Sequence, residues 1–381
     1  MCPHRRRTGS RRRSGRRRGT WSPPGRKPSS TRRTPRPRNK GGGAEVQAIL
    51  LVGGFGTRLR PLTLTTPKQM LPVLDRPMLE YAVSGLAGHG VDRVVLALGY
   101  HDAAFRAAYP GGRCAGVELC CVVEPEPLDT AGAIRFAYEA SGMGDSPGTF
   151  LVANGDVITD LDVGEMLHLH RSAGAEATIH LIEVDDPSRY GVVVTDRDGR
   201  VREFVEKPQP PAPSNWINAG TYLMDPAVIG RIDGGRRVSV EREVFPTMVE
   251  DRTLWALCHN TYWLDVGTPK AYLQAQLDLL DGRRGPAVAG VSAEASVDAG
   301  ALIERSVVMA GAVVGEGSAV RGSAVHEGAV IEAGATVLDS VVGSGATVGR
   351  GARVTDGTLI GERFEVAPGT ALSDARVPQG V

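Results

Sequence analysis

Three glycines within four positions, Gly53, Gly54 and Gly56, follow the apolar run from Ala48 to Val52 and lead into Thr57 and Arg58. The apolar run reads as a buried strand. The glycines let backbone come close to a ligand and turn its N–H groups towards anionic oxygens. Arg58 adds a planar cation suited to phosphate, and Lys68, in Thr66-Pro67-Lys68, adds a second. A strand, a glycine turn and two separated cations are what a nucleoside triphosphate needs. The turn is not a P-loop, because no Gly-Lys-Ser/Thr follows at the required spacing. It is a poor dinucleotide fingerprint too, since Leu59 stands where a third Gly or Ala belongs.

Further groups able to do chemistry lie downstream. Asn154-Gly155-Asp156 ends an apolar strand, where ligands collect in open α/β sheets. Trp263-Leu264-Asp265-Val266-Gly267-Thr268-Pro269 supplies a second carboxylate. Between them stand Glu124-Pro125-Glu126-Pro127-Leu128-Asp129-Thr130, Phe204-Val205-Glu206-Lys207-Pro208 and Asn218-Ala219-Gly220-Thr221. Each has a plain structural reading as well. Asp156 could be a turn aspartate, Asp265 could stand ahead of a helix from Pro269, and Glu206 with Lys207 could be an exposed hairpin pair worth little energetically.

The order and number of these segments, from Gly-Gly-x-Gly-Thr-Arg-Leu-x-Pro-Leu-Thr through Pro67-Lys68-Gln69-Met70-Leu71-Pro72-Val73 to Asp265, resemble the sugar-1-phosphate nucleotidyltransferases. In such chemistry a sugar-phosphate oxygen attacks the α-phosphorus of a nucleotide, and cations offset the repulsion between two anions. No protein nucleophile is needed. The resemblance implies that Val52, Gly53, Gly54, Gly56, Thr57, Glu124 and Thr130 bind the nucleotide. It gives Arg58 the leaving pyrophosphate, Lys68 the α-phosphate and Lys207 the sugar phosphate. It places the sugar at Gly191, Glu206, Asn218 and Thr221. Asp156 and Asp265 would hold Mg²⁺ together with waters and phosphate oxygens, as a hard, hydrated ion prefers.

Guanine presents adjacent N1–H and N2–H₂ donors that one carboxylate can accept, whereas uracil and thymine suit an amide. Glu124 stands where Gln is expected for the pyrimidine bases. Val52 and the run Ser239-Val240-Glu241-Arg242-Glu243-Val244-Phe245-Pro246 also resemble the compact bacterial GDP-mannose pyrophosphorylases. Asp129 departs from that group, which often has Gly there. The resemblance therefore implies GTP and mannose 1-phosphate as substrates. The same chemistry on glucose 1-phosphate with dTTP or UTP, or on another hexose-like phosphate, is the alternative. Acyl transfer through His326 and a non-catalytic regulatory role are lesser ones. A corner or surface position suits His326 better, and the presence of Arg58, Lys68, Asp156 and Asp265 argues against a non-catalytic relative.

Strand-like and helix-like segments alternate to position these residues. Strands are expected at 46–52, 91–99, 116–124, 149–154, 177–184, 216–224 and 254–266, with a hairpin over 191–207. Helices are expected at 77–88, 130–141, 162–172 and 269–280. The alternation predicts a Rossmann-like α/β domain with a mostly parallel sheet. After Asp281-Gly282-Arg283-Arg284-Gly285-Pro286, aliphatic residues recur every five or six positions from Val297 to Val366, and the short steps repeat every seventeen residues. That rhythm marks a parallel β-helix, and it resembles the left-handed hexapeptide-repeat domain of many sugar nucleotidyltransferases. The expected division is a basic extension over 1–44, a catalytic domain over 45–281, a linker over 282–289 and the β-helix over 290–381. An uncovered terminal coil would expose strand edges, which predicts a homo-oligomer through the β-helix.

The formal net charge of +1 hides a split. Residues 1–40 carry 16 Lys and Arg and no acidic residue, leaving 28 against 43 Asp and Glu in the remainder. A nucleic-acid-binding tail would share that composition, but a disordered extension explains it with less. It has no apolar core of the kind a signal peptide needs. No apolar run approaches membrane-spanning length. Cys2, Cys114, Cys120, Cys121 and Cys258 form no metal or disulfide spacing, which suits a reducing cytoplasm.

Overall fold

The computed structural model describes residues 46–99, 102–145 and 147–378. The basic extension assigned to residues 1–44 lies outside them. In chain order the first strands are β1 (Ala48–Leu51), the short hairpin β2 and β3 (Pro72–Val73, Arg76–Pro77), β4 (Arg93–Leu98), β5 (Arg113–Cys114), β6 (Val117–Val123) and β7 (Phe150–Asn154). Next come β8 (Val157–Thr159), β9 (Ala177–Glu183), β10 (Gly191–Thr195), β11 (Val201–Glu206), β12 (Trp216–Met224), β13 (Leu254–Cys258) and β14 (Trp263–Asp265). The helices are α1 (Met78–Gly88), α2 (Asp102–Ala108), α3 (Asp129–Ala140), α4 (Val163–Ala173), α5 (Phe245–Glu250) and α6 (Pro269–Leu280).

Strands β7, β1, β4 and β6 form the parallel centre of a ten-stranded sheet, and β12 runs antiparallel beside β7. Successive side chains on β1 point to opposite faces. Ile49 enters the core under α3, while Ala48 and Leu50 enter the core under α1 and α4. Cys120 and Cys121 divide the same way. Both are free thiols, as are Cys114 and Cys258.

The single strand expected over 254–266 is two strands in different sheets. Strand β13 joins β9 in the main sheet, while β14 pairs antiparallel with β8 in a ribbon of its own. Asn260 breaks the run by turning back to accept the Glu183 N–H at 2.9 Å. Helices α2 and α5 and strand β8 were not expected. They are short, and their apolar residues show no full helical or strand period.

From Ser296 to Val377 the chain winds into a left-handed β-helix of three parallel five-stranded sheets. The aliphatic ladder of the sequence is its interior. Val297, Val314, Ile331, Val348 and Val366 stack in one column, and Val308, Val325, Val342, Ile360 and Val377 in another. One sheet carries a second apolar layer on its outside. Val307, Met309, Ala324, Val341 and Leu359 pack against Leu59, Leu62, Leu71, Val73, Val266 and Tyr272. The β-helix is thus packed on the segments that flank Arg58, Lys68 and Asp265. His326, expected at a corner or on the surface, is buried in this contact, 2% exposed. Tyr272 of α6 meets it there at 3.0 Å.

Burial pushes the imidazoles of His180 and His326 down to about 4. In the unfolded chain each titrates near its ordinary value of about 6.5. Below that pH the unfolded chain binds protons that the folded chain does not take until about pH 4, so stability falls across that window. Each histidine contributes a slope of up to about 1.4 kcal/mol per pH unit. Chemical denaturation at about pH 7.5 and about pH 5 checks this. The midpoint is expected to be lower in acid, and equal midpoints would mean that the buried rings are not held neutral.

Candidate functional site

The glycine loop leaves β1 between the ends of its two parallel neighbours. The Val52 N–H donates to Ala97 at 2.9 Å and the Gly155 N–H to Leu51 at 2.9 Å. The approach is close on both sides. A Cβ at Gly99 would stand 2.9 Å from the Gly53 carbonyl oxygen, and one at Gly155 would stand 2.5 Å from a methyl of Val52. Val52 is itself buried under the loop. Gly56 takes a left-handed backbone, φ 61°, and opens the single helical turn Thr57–Leu59 that carries Arg58. A side chain there would meet Thr63 at 3.0 Å and the Cβ of Lys68 at 3.1 Å. Glycine at 56 therefore lets the Lys68 segment pass against the loop.

Lys68 heads its own helical turn, Lys68–Met70, and its Nζ is ion-paired with Asp156. The Asp156 carbonyl accepts the Val266 N–H at 3.0 Å, and Asp265 lies opposite Val157 in the β8–β14 ribbon. Two carboxylates far apart in sequence are thereby brought side by side. Burial raises the pKa of Asp265, the charge of Asp156 raises it further, and Lys68 and Arg58 pull it back.

A cavity of about 380 Å³ opens beside this group. Gly53, Gly54, Lys68, Glu124, Thr130 and Asp156 all line it. Glu124 is 8% exposed. Its Oε2 accepts the Leu128 N–H at 2.9 Å, and its Oε1 lies towards Gly53. Burial raises its pKa, the Leu128 N–H opposes that rise, and the charge of Asp129 adds to it. The Thr130 hydroxyl is already engaged. It donates to Glu241 at 2.8 Å and accepts from the Val240 N–H at 2.8 Å, fastening α3 to the segment after Ser239.

The residues expected at the sugar and its phosphate form a second group, none of which lines that cavity. Gly191 and Glu206 face each other across the β10–β11 hairpin. A side chain at 191 would stand 3.0 Å from the Glu206 carboxylate. Lys207 pairs with Glu206 at 2.9 Å, as the plain reading of the hairpin expected. Asn218 spends its amide on the Tyr222 hydroxyl and the Gly220 N–H, holding an irregular turn within β12. Thr221 is buried and lines a separate cavity of about 40 Å³ with Leu50 and Leu161. Tyr190 links the two groups. Its phenol feels the charges of Asp265 and Arg58, and its ring meets Trp263 edge-on at 5.9 Å.

Sequence reasoning did not single out Arg237, Gln69 or Gly99 as site residues, yet all three line the cavity. Gly99 had a signal, a glycine ending an apolar strand as Gly53 does. Gln69 is buried with an oxygen that has no partner. Unpaired buried acceptors are rare in folded proteins, and a bound ligand's donor would satisfy this one.

The nucleotidyl transferase family model matches residues 47–282, and the GMPPB C-terminal domain model matches residues 287–379. A mannose-1-phosphate guanylyltransferase of Mycobacterium tuberculosis is 40% identical over 270 residues, covering 70% of this chain and 74% of that protein. A mannose-1-phosphate guanylyltransferase catalytic subunit beta of Drosophila pseudoobscura pseudoobscura is 41% identical, covering 61% of this chain and 62% of that protein. The crystal structure of HddC from Yersinia pseudotuberculosis aligns with a TM-score of 0.52 at 28% identity, covering 61% of this chain and 98% of that one. The same protein complexed with GMP-PN aligns equally well. The first match spans more than half of the sequence, and the chain therefore belongs to the nucleotidyl transferase family.

Proposed function

We propose that this enzyme transfers a guanylyl group from GTP to mannose 1-phosphate, giving GDP-mannose and pyrophosphate. The observation that carries the base is the buried Glu124 carboxylate in the cavity wall. One of its oxygens is tied to Leu128, which fixes the carboxylate's orientation towards a ligand. Two acceptor oxygens match the paired N1–H and N2–H₂ donors of guanine. The names of the related proteins support both the base and the sugar.

In this reading an oxygen of the sugar phosphate attacks the α-phosphorus as the α–β bond breaks, and pyrophosphate leaves. Gly53, Gly54, Gly56 and Thr57 wrap the nucleotide, and Val52 supports the loop from below. Thr130 acts by holding α3 in place. Arg58 offsets the charge on the departing pyrophosphate and Lys68 that on the α-phosphate. Gly191, Glu206, Lys207, Asn218 and Thr221 shape the sugar-phosphate side.

Asp156 and Asp265 fit a hard divalent cation. The charge of Asp156 adds to the rise in the pKa of Asp265, and among the described residues no group of three or more His, Cys, Asp and Glu could hold an ion alone. Water and phosphate oxygens would complete the coordination, the arrangement Mg²⁺ prefers. When bound, Mg²⁺ would neutralise charge on the phosphates and on the leaving pyrophosphate.

The catalytic domain over 45–281, the linker over 282–289 and the β-helix over 290–381 belong to the same proposal, as does a homo-oligomer. Seven large apolar side chains are exposed among the described residues, and four of them, Val288, Val291, Leu302 and Val313, lie in the linker and the first coils of the β-helix. No described helix is long and apolar enough to cross a membrane. Free thiols suit a reducing cytoplasm.

Four experiments test the reading. A pyrophosphate-release assay across nucleotides and sugar phosphates is expected to show GTP with mannose 1-phosphate turned over fastest. In Glu124→Gln, GTP use should fall by about tenfold or more relative to dTTP or UTP; an unchanged preference removes the argument for guanine. Asp265→Asn should lower kcat by about a hundredfold or more with the fold intact, and chelator should stop turnover until Mg²⁺ is returned. Full activity in chelator would sink the two-carboxylate assignment. Light scattering should find the full chain oligomeric and the Leu302→Lys, Val313→Lys variant smaller, whereas a wild-type monomer would refute the interface.

A further inference from the structure

His326 follows the strand Ala324–Val325 in the second turn of the β-helix and is buried against α6. Its Nε2 lies 3.0 Å from the Tyr272 hydroxyl, with the two rings edge-on. Tyr272 has no exposed surface and donates that hydroxyl to the Pro72 carbonyl. The histidine is therefore the donor to the tyrosine oxygen, with its proton on Nε2. The same carbonyl accepts a second bond from Gln276 Nε2 at 2.8 Å, and Gln276 Oε1 accepts the Leu74 N–H at 2.7 Å. Pro72 closes the segment that Lys68 opens, and within it the Leu71 N–H donates to the Lys68 carbonyl at 3.1 Å. One turn before Tyr272, α6 begins at the Thr268 cap, just beyond Asp265; the cap carbonyl accepts the Tyr272 N–H at 2.8 Å and the cap hydroxyl the Ala271 N–H at 3.2 Å.

Helix α6 is thus a strut between the Lys68 segment and the Asp265 ribbon. Apolar packing presses the β-helix against it, but packing is tolerant of small slides. Hydrogen bonds are directional and define register. We infer that His326 is a positioning residue for the catalytic site: through Tyr272 and Pro72 the β-helix sets where Lys68 stands relative to Asp156 and Asp265. The inference rests on the proposed roles of Lys68 and the two aspartates at the phosphates. A displacement of about 1 Å in such a group is enough to cost a large factor in rate.

The test compares steady-state kinetics of His326→Leu, His326→Gln, Tyr272→Phe and the Leu/Phe double variant in the full chain. Leucine removes the donor and keeps a buried side chain, while glutamine offers an amide N–H to the same oxygen. His326→Leu and Tyr272→Phe should each lower kcat about tenfold, with KM for both substrates within about twofold. His326→Gln should recover kcat to within about threefold of wild type, and the double variant should be no slower than the worse single one. Circular dichroism reports folding; if the leucine variant does not fold, the glutamine and phenylalanine variants decide. Wild-type kcat in Tyr272→Phe, a glutamine variant as slow as the leucine one, or losses that multiply in the double variant would each overturn the inference. The substrate pair does not confound it. If wild type turns over a different nucleotide or sugar phosphate, the functional reading fails, and variant-to-wild-type ratios on the accepted pair still decide the role of His326.

Discussion

Asp156 and Asp265 are held close enough that the charge of one makes the other harder to ionise, and the surrounding fold keeps that unfavourable pairing in place. Like charges at short range in a partly buried site repel strongly, because the screening available in water is reduced there. Three features oppose the repulsion. The β8–β14 ribbon ties the two segments by backbone hydrogen bonds that do not depend on charge. Lys68 sits on Asp156, and Arg58 acts on Asp265 from the glycine loop. Removing either partner of a buried ion pair leaves a charge uncompensated and costs about 3–5 kcal/mol. The Lys68–Asp156 pair is not fully buried, its side chains being 11% and 20% exposed.

Each of those features leans on another part of the molecule. Lys68 reaches Asp156 because Gly56 has no side chain to keep the Lys68 segment away from the loop. The segment keeps its course because Tyr272 and Gln276 both hold the Pro72 carbonyl. Helix α6 stays in place because one outer face of the β-helix is apolar where β-helix faces usually meet water, and covers it. The second domain is therefore part of the catalytic architecture as well as a candidate interface. Its small-residue interior supports this. Alanines 312, 329, 335, 346 and 352 are wholly buried at or near the corners, so the coils stack in tight register and present a flat surface.

Periodic features were legible in the sequence. The strand before the glycine loop, helices α1, α3, α4 and α6 and the whole β-helix ladder repeat with a geometric period, and burial follows that period. Gly53, Gly54, Lys68, Glu124 and Asp156 could be singled out because few residue types suit the chemistry expected there, and all five line the cavity. What could not be read was anything decided by long-range contact. Arg237 carries no local signal, since a second arginine stands beside it on a polar loop. Thr130 lines the cavity, and only the fold reveals that its hydroxyl also bonds Glu241 and Val240. His326 looked like a corner residue because the β-helix alone would leave it outside. Its burial depends on α6, which lies well before it in the chain.

Asp129 shows how a local departure can be accommodated. Its backbone is left-handed, φ 62°, at the first position of α3. Glycine adopts that conformation without penalty, and among other residues Asn and Asp tolerate it best, because a short polar side chain can bond locally. Here the Oδ1 of Asp129 accepts the Thr130 N–H at 2.8 Å, satisfying a donor that the helix start leaves free. An acidic group also suits the positive end of the helix dipole. The exchange has an electrostatic cost, since the Asp129 charge adds to the burial that makes Glu124 harder to ionise. The Leu128 N–H, donated to Glu124 from the residue next to Asp129, works against that cost. A left-handed turn, a helix cap and the carboxylate assigned to the base are thus settled together by three neighbouring residues, and the aspartate is tolerated because the turn that strains it also supplies the compensating donor.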